Sequence, residues 1–420
     1  MQKFIIEGGN RLSGEITLQG CKNSSLPIMA ASLIPEGKCI ISNCPQLTDI
    51  YSAARILNRL GSRCNFSNNT VTVDSFSADG SEIPSELMKE MRASIIFMGA
   101  MLSRMKKCKV STPGGCNLGI RSIDMHISAL RKMGVEITEN GTDIICRIPS
   151  GRAKGTKITL PFPSVGATEN IILCAVMAEG ETIINNSARE PEICDLCGFL
   201  RACGADIKGD GESSIFIKGK EKLHGCEYRI MSDRIACATY LCMTASTGGE
   251  MIIKDACVAE SEPFLSVLEQ TGARIETGKD RIFLRSGARL KALKNRIRTM
   301  PHPGFPTDAQ AVFMSALCTA DGTSIFEENI FDNRYRHTDA FVRMGADIEV
   351  IGNKVAVVRG VKRLHGAEVE ATDLRGGAGM VIAALSAEGR SEITEISHID
   401  RGYEKIENVV SLLGGKIKRV

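Results

Sequence analysis

The stretch STPGGCNLGIRSIDMHI, residues 111–127, sets Cys116 behind two glycines and follows it with Arg121, Asp124 and His126. A thiol in a loop that can move, with a guanidinium nearby to favour its thiolate, can serve as an acid, as a nucleophile or as both. Three further stretches offer matching chemistry: Lys22 and Asn23 in GCKNSSLP, Asp308 behind two prolines in HPGFPTDAQ, and Arg401 in HIDRGYEKI. Asp308 reads either as a helix cap or as a general base, and Lys22, Arg121 and Arg401 suit a carboxylate or phosphate. This set could handle proton transfer on a small anionic substrate.

The remaining composition is plainer. Of the 16 cysteines most are expected to pack as small apolar side chains, as in IILCAVMAEG around Cys174 and FMSALCTADG around Cys318. The start MQKFIIEGGN has neither an apolar run nor a small-residue cleavage site, and no stretch is apolar for long enough to cross a bilayer. A reducing, cytoplasmic setting with free thiols is therefore expected. A net charge of +3 from 52 basic and 49 acidic groups argues against nucleic acid or a membrane surface as partner. CDLC, residues 194–197, has the spacing of a metal half-site but no second CxxC, and the six histidines form no HxH or HxxxH pair, so no metal and no cofactor is expected.

These residues are carried by a repeat. ILNRLGSRCNF, ALRKMGVEITE, FLRACGADIKG, VLEQTGARIET, FVRMGADIEVI and SLLGGKIKRV share a glycine, at Gly61, Gly134, Gly204, Gly272, Gly345 and Gly414. The period of roughly 70 residues is the size of a small α/β unit. First halves such as TKITLPFPSVGATENIILCAVMAEGETIINN and GEITLQGCKNSSLPIMAASLIPEGKCIISN give the order strand, helix, strand, helix and then a two-stranded hairpin. In the second and fourth copies the pattern is looser, with MRASIIFMGAML and MSDRIACATYLCM in the helix slot. The sixth copy ends without its last strand, which KFIIEGGNRLSGEITL at the other terminus resembles. Residues 1–20 are thus expected to complete it. Three repeats per domain give domains 22–230 and 1–21 plus 231–420, with crossings near Lys22 and Ser232 forming a hinge. The fold class is α/β (α+β), a two-domain inside-out α/β barrel of six βαβαββ repeats.

Each copy opens its first helix with polar groups: Lys22 and Asn23, Arg92, Ser164 with Gly166, Asp233 with Arg234, Thr307 with Asp308, and Asp373 with Arg375. Helix starts present unpaired N–H groups to anions. For Ser, Asp or Thr a simple cap explains the position; a cation there works against the helix dipole unless an anion joins it.

Together KNSSLP, MRASI, PGGCNLGIRSIDMHI, PSVGATENI, AREPEI, SDRI, PHPGFPTDAQA, FDNRYRH, ATDLRGGAG and HIDRGYEKIE resemble, over the whole chain, the UDP-N-acetylglucosamine 1-carboxyvinyltransferase family of enolpyruvyl transferases. The resemblance implies two domains of three βαβαββ units with the active site in the cleft between them. It implies transfer of the enolpyruvyl group of phosphoenolpyruvate to the 3'-hydroxyl of UDP-N-acetylglucosamine, without a metal, at the start of peptidoglycan precursor synthesis. It further implies Cys116 as acid and covalent partner of phosphoenolpyruvate, Asp308 as base, and Lys22, Asn23, Arg121 and Arg401 around the donor. Asn23, Arg92, Arg121, the segment Ser122, Ile123, Asp124 and Met125, the segment Ser164, Val165 and Gly166, and Asp308 with Ile330 would hold the nucleotide sugar. His126 and His398 would orient loops. Ser122 replaces a common proline, Phe162 a basic residue found in some members, and Cys21 a common alanine. The alternatives are 5-enolpyruvylshikimate-3-phosphate synthase, which lacks such a cysteine loop, a non-catalytic nucleotide-sugar-binding repeat protein, and RNA 3'-phosphate cyclase, whose histidine site has no match here.

Overall fold

The structure, a computed structural model, describes residues 2–114, 122–287 and 289–420. It divides into two compact units. The first runs from Gly20 to Met231; the second joins the chain up to Gln19 with Ser232–Val420.

Each unit is built on three helices that have almost no solvent face. In the first these are α1 (Lys22–Ala31), α2 (Phe97–Met105) and α3 (Val165–Ala175). In the second they are α4 (Arg234–Ser246), α5 (Thr307–Leu317) and α6 (Leu374–Ser386), each buried along nearly its whole length. The sequence allows this because alanine, glycine and small thiols dominate their contact faces, so helices approach closely, and α4, α5 and α6 all pack on one another. A helix apolar all round must be enclosed, and here sheets enclose it. The sheet strands alternate buried and exposed positions, as in Ser214–Lys218 and Thr70–Asp74.

Every sheet follows one plan: a short strand parallel to a central strand, which pairs antiparallel with a hairpin. Lys157–Thr159 runs parallel to Glu181–Asn185, which pairs with Ser214–Lys218, itself paired with Asp206–Lys208. The second copy is reduced to three strands, its first strand shrinking to the single bridge between Glu82 and Lys109. The six shared glycines all take left-handed backbone angles, φ +81 to +96, just past the second helix of each copy. That conformation ends a helix and turns the chain into the next strand, and a side chain there would be strained.

The strand absent from the sixth copy is Phe4–Glu7, which lies between Arg390–Thr394 and Lys416–Arg419 with Phe4 opposite Ile393 and Arg419. The segment after it departs from the sequence reading. Ser13–Thr17 does not pair with the strand that follows α1; it pairs in the second unit with Glu250–Lys254, Ile16 opposite Ile253. The strand following α1, Lys38–Ser42, is joined instead by Glu227–Arg229. The two copies that meet at the unit boundary have exchanged first strands. Repeats in sequence and repeats in space therefore differ by one strand at each crossing.

Close packing between hairpin and helix end requires glycine at matching places. A Cβ on Gly8, Gly219 or Gly360 would run into the carbonyl oxygen of Ala387, Ala178 or Ala320 respectively, all backbone atoms. Gly360→Ala is expected to lower stability by about 1–3 kcal/mol, as overpacking does. A urea unfolding midpoint equal to that of the parent would refute the close approach.

Candidate functional site

In the first unit α1 starts at Lys22 after an extended Cys21 and has no side-chain cap. The Lys22 ammonium is buried and lies 2.8 Å from Oδ2 of Asp49, in the first turn of the helix Thr48–Arg59. A cation at a helix start opposes the dipole, and Asp49 offsets that cost. Asn23 is half-buried beside it. Asp195 ties the next turn down: it accepts from Ser24, from the Tyr228 hydroxyl at 2.7 Å and from the Met231 N–H at 3.1 Å. Burial raises its carboxyl above the usual range against those three donors. Asp195 lies inside CDLC, where Cys194 and Cys197 themselves pack. Glu169 is fully enclosed, and burial with Glu192 and Glu190 nearby pushes its carboxyl far above the usual range.

The nucleotide-sugar candidates of this unit meet around one imidazole. His126 is 6% exposed and accepts through Nδ1 from Nδ2 of Asn170 at 2.8 Å, which leaves the proton on Nε2. Asn170 also binds the Ile95 carbonyl at 3.0 Å and the Gly99 N–H at 2.7 Å, tying α3 to α2. Burial, and after it Arg92, pushes His126 down to about 4. A Cβ on Gly166 would come 3.2 Å from its Cε1, so glycine lets the start of α3 approach the ring. Ser164 caps α3, its Oγ accepting from the Ala167 N–H at 3.4 Å, and half-buried Val165 opens the helix. Ser122 Oγ accepts from the Asp124 N–H at 3.1 Å at the start of the helix Asp124–Lys132, with Ile123 and Met125 half-buried. Arg92 opens the 3-10 turn Arg92–Ile96, which packs on α1 and α3. Cys116 and Arg121 lie outside the described residues.

In the second unit Asp308 stands in the first turn of α5. Arg334 donates to its Oδ1 at 3.1 Å and Arg375, from the start of α6, to its Oδ2 at 3.3 Å. Both arginines are nearly enclosed, at 1% and 3% exposure. One guanidinium on each oxygen fixes the carboxylate's orientation. Arg375 also reaches the Tyr403 hydroxyl at 3.1 Å, and Tyr403 shares a 2.8 Å hydrogen bond with Thr239 in the second turn of α4, so polar bonds link α4, α5 and α6. Asp233 and Asp373 cap α4 and α6, each accepting from two backbone N–H groups. Burial raises the Asp373 carboxyl, but Arg334, His337 and the Gly376 and Arg375 N–H groups outweigh it and hold it below the usual range.

Ile330 is brought towards Asp308 by Glu328, a fully buried residue that the sequence reading passed over. Its Oε1 accepts from the Ile330 and Phe331 N–H groups at 2.9 and 3.0 Å, and Thr307 donates to both its oxygens. Arg401 ends the 3-10 turn Ile396–Arg401, half-buried, and Gln19 holds the following turn through Gly402 and Glu404 at 3.0 and 2.9 Å. The structure thus joins Asp308, Ile330 and Arg375 in the second unit and Arg92, Ser122–Met125 and Ser164–Gly166 in the first. Asp49, Asp195, Asn170, Glu328 and Arg334 were missed as supports. Of these Arg334 lies inside FDNRYRH, Asn170 inside PSVGATENI and Asp195 inside CDLC, stretches already singled out for other residues, while Asp49 and Glu328 had no such signal.

His126 gives a pH signature. Unfolded, an imidazole takes up a proton below about pH 6.5; folded, His126 stays neutral to about 4. Its contribution is complete above pH 6.5 and is lost as pH falls towards 4. The difference in urea midpoint between parent and His126→Gln should narrow steadily over that interval. A constant difference would exclude the imidazole as the source.

The family profile for EPSP synthase (3-phosphoshikimate 1-carboxyvinyltransferase) matches residues 6–410. The chain is 49% identical over 420 residues, the whole of both chains, to UDP-N-acetylglucosamine 1-carboxyvinyltransferase 2 of Caldanaerobacter subterraneus subsp. tengcongensis. It is 44% identical to the UDP-N-acetylglucosamine 1-carboxyvinyltransferase of Zymomonas mobilis, again over 100% of each. Among solved structures the enolpyruvyl transferase NikO from Streptomyces tendae superposes with a TM-score of 0.91 at 23% identity, covering 100% of this chain and 99% of the other. EPSP synthase from Acinetobacter baumannii gives 0.77 at 20% identity with full coverage of both, and these two likenesses establish the shared fold. Matched from end to end by relatives that carry one name, the chain belongs to the UDP-N-acetylglucosamine 1-carboxyvinyltransferase family, within the enolpyruvyl transferases.

Proposed function

We propose that this enzyme transfers the enolpyruvyl group of phosphoenolpyruvate to the 3'-hydroxyl of UDP-N-acetylglucosamine and releases phosphate, opening peptidoglycan precursor synthesis. The observation that carries the reading is the full-length identity of 49% to a UDP-N-acetylglucosamine 1-carboxyvinyltransferase. The cysteine loop PGGCNLGIR, which the shikimate enzyme lacks, supports it. Its substrates are small molecules. Among the described residues no helix is long and apolar enough to cross a membrane, and a cytoplasmic setting suits nucleotide-sugar chemistry.

In this reading Cys116 donates a proton to the methylene carbon of phosphoenolpyruvate as the acceptor oxygen bonds to C2. Asp308 takes the hydroxyl proton from the acceptor. The resulting tetrahedral adduct then returns a methyl proton to the Cys116 thiolate as the C2–O bond to phosphate breaks, which forms the enol ether and releases phosphate. Lys22, Asn23, Arg121 and Arg401 hold the carboxylate and phosphate; fixed cations are worth most where charge develops on the leaving group. Arg92, the Ser122–Met125 segment, the Ser164–Gly166 segment and Ile330 hold the nucleotide sugar, with Asn23 and Arg121 shared between substrates. The ion pairs from Arg334 and Arg375 support the role of Asp308, because a base must be aimed before it can act.

Phosphate release from phosphoenolpyruvate, measured with EDTA present, should require UDP-N-acetylglucosamine and not occur with shikimate 3-phosphate. Release with the shikimate compound alone would overturn the acceptor. Asp308→Asn is expected to lower kcat by about 10²–10⁴. Cys116→Ser should nearly abolish turnover, since a serine hydroxyl is far too weak an acid at neutral pH.

A further inference from the structure

Three thiols outside the proposed reaction converge in the first unit. Cys39 lies in the strand Lys38–Ser42, Cys203 caps the end of the helix Pro191–Ala202, and Cys226 precedes the strand Glu227–Arg229. Their Sγ atoms all lie within 4.8 Å of one another, with Cys203 and Cys226 at 3.4 Å. Among the described residues they form the one such group of metal-ligating side chains. Backbone bonds hold each in place: the Ile40 N–H donates to the Cys226 carbonyl at 2.9 Å, the His224 N–H to the Cys203 carbonyl at 3.0 Å, and the Cys203 N–H to Phe199 at 3.0 Å. Gly225 keeps the passage close, since a Cβ there would run into the Lys38 carbonyl. The donors are therefore fixed on a strand pair and a helix end.

We propose that Cys39, Cys203 and Cys226 form a binding site for a thiophilic d10 cation, zinc(II) or copper(I). Thiolates bind zinc at about 2.3 Å, which in a tetrahedral site sets sulfurs about 3.8 Å apart. The observed group needs only sub-ångström shifts to reach that spacing. Soft sulfur donors select such ions over calcium or magnesium. Three thiolates suffice for copper(I). Zinc takes a fourth ligand, and a water entering past half-buried Cys226 would supply it. Cys39 and Cys203 are enclosed while Cys226 is half-buried, so the ion enters past Cys226. On binding, each thiol gives its proton to solvent and its lone pair to the ion, without oxidation or reduction.

Bound there, the ion would clamp Glu227–Arg229 to Lys38–Ser42, the pairing made by the exchanged strand. Full-length protein carrying Cys116→Ser, to remove the loop thiol, would be reduced, freed of metal and titrated separately with cadmium(II), as a probe for zinc, and with copper(I). Binding of one equivalent with thiolate-to-metal absorption, proton release and a raised Tm is the expected result for at least one ion. Losing even an outer partner of a metal ligand costs about 10–100-fold in affinity, so Cys203→Ser or Cys226→Ser should cost at least that. Cys318→Ser, in the second unit, should change nothing. Because Cys226 is half-exposed, a folded Cys226→Ser protein reports on the ligand and not on the core. Failure of both ions to bind stoichiometrically, or binding unchanged in both variants, would overturn the proposal. So would closure of a Cys203–Cys226 disulfide in air by a protein that binds neither ion when reduced.

Discussion

A helix enclosed on every side can meet polar partners only at its ends, and three such helices form the heart of each unit. Their starts cannot be left dry: the first N–H groups of a helix have no partner within it, and burying them unpaired is costly. In the second unit Asp233 and Asp373 meet that requirement as caps of α4 and α6, while at the start of α5, which has no side-chain cap, Asp308 sits between two enclosed arginines. A buried guanidinium without a carboxylate would be worse than none. The geometry that keeps α4, α5 and α6 together therefore also aims Asp308.

The first unit solves the same problem with different charges. There Lys22 sits at an uncapped start and leans on Asp49, burial raises the Glu169 carboxyl, and His126 is kept neutral by burial. Neutral groups can be enclosed at modest cost if they are hydrogen-bonded, as His126 is through Asn170. Of the buried ion pair Lys22–Asp49, the cation is the member proposed to meet an anionic substrate.

Much of this was legible in the sequence. The six glycines with left-handed angles, the polar residue at each first helix and the terminal strand Phe4–Glu7 all come from local patterns that repeat. The exchange of first strands was not, because Ser13–Thr17 and Glu227–Arg229 are similar short runs in front of similar helices, and only long-range pairing decides their sheets. Glu328 was hidden for another reason: an acidic residue in EENIFDN looks like an exposed turn, and only its four hydrogen bonds give it away. Cys39, Cys203 and Cys226 share no motif spacing, so sixteen scattered cysteines in the sequence concealed one cluster.

The exchanged strands also impose an order of events on a chain made from its N-terminus. Phe4–Glu7 is made long before its partners Arg390–Thr394 and Lys416–Arg419, and Ser13–Thr17 must wait for Glu250–Lys254. Gly20–Met231 holds all its own strands and can close while the ribosome is still at work. The leading segment must stay unpaired throughout, a β-forming stretch exposed for most of translation. Its partial defence is its charge: Lys3, Glu7, Arg11 and Glu15 interrupt the apolar residues and make it a poor template for other nascent chains.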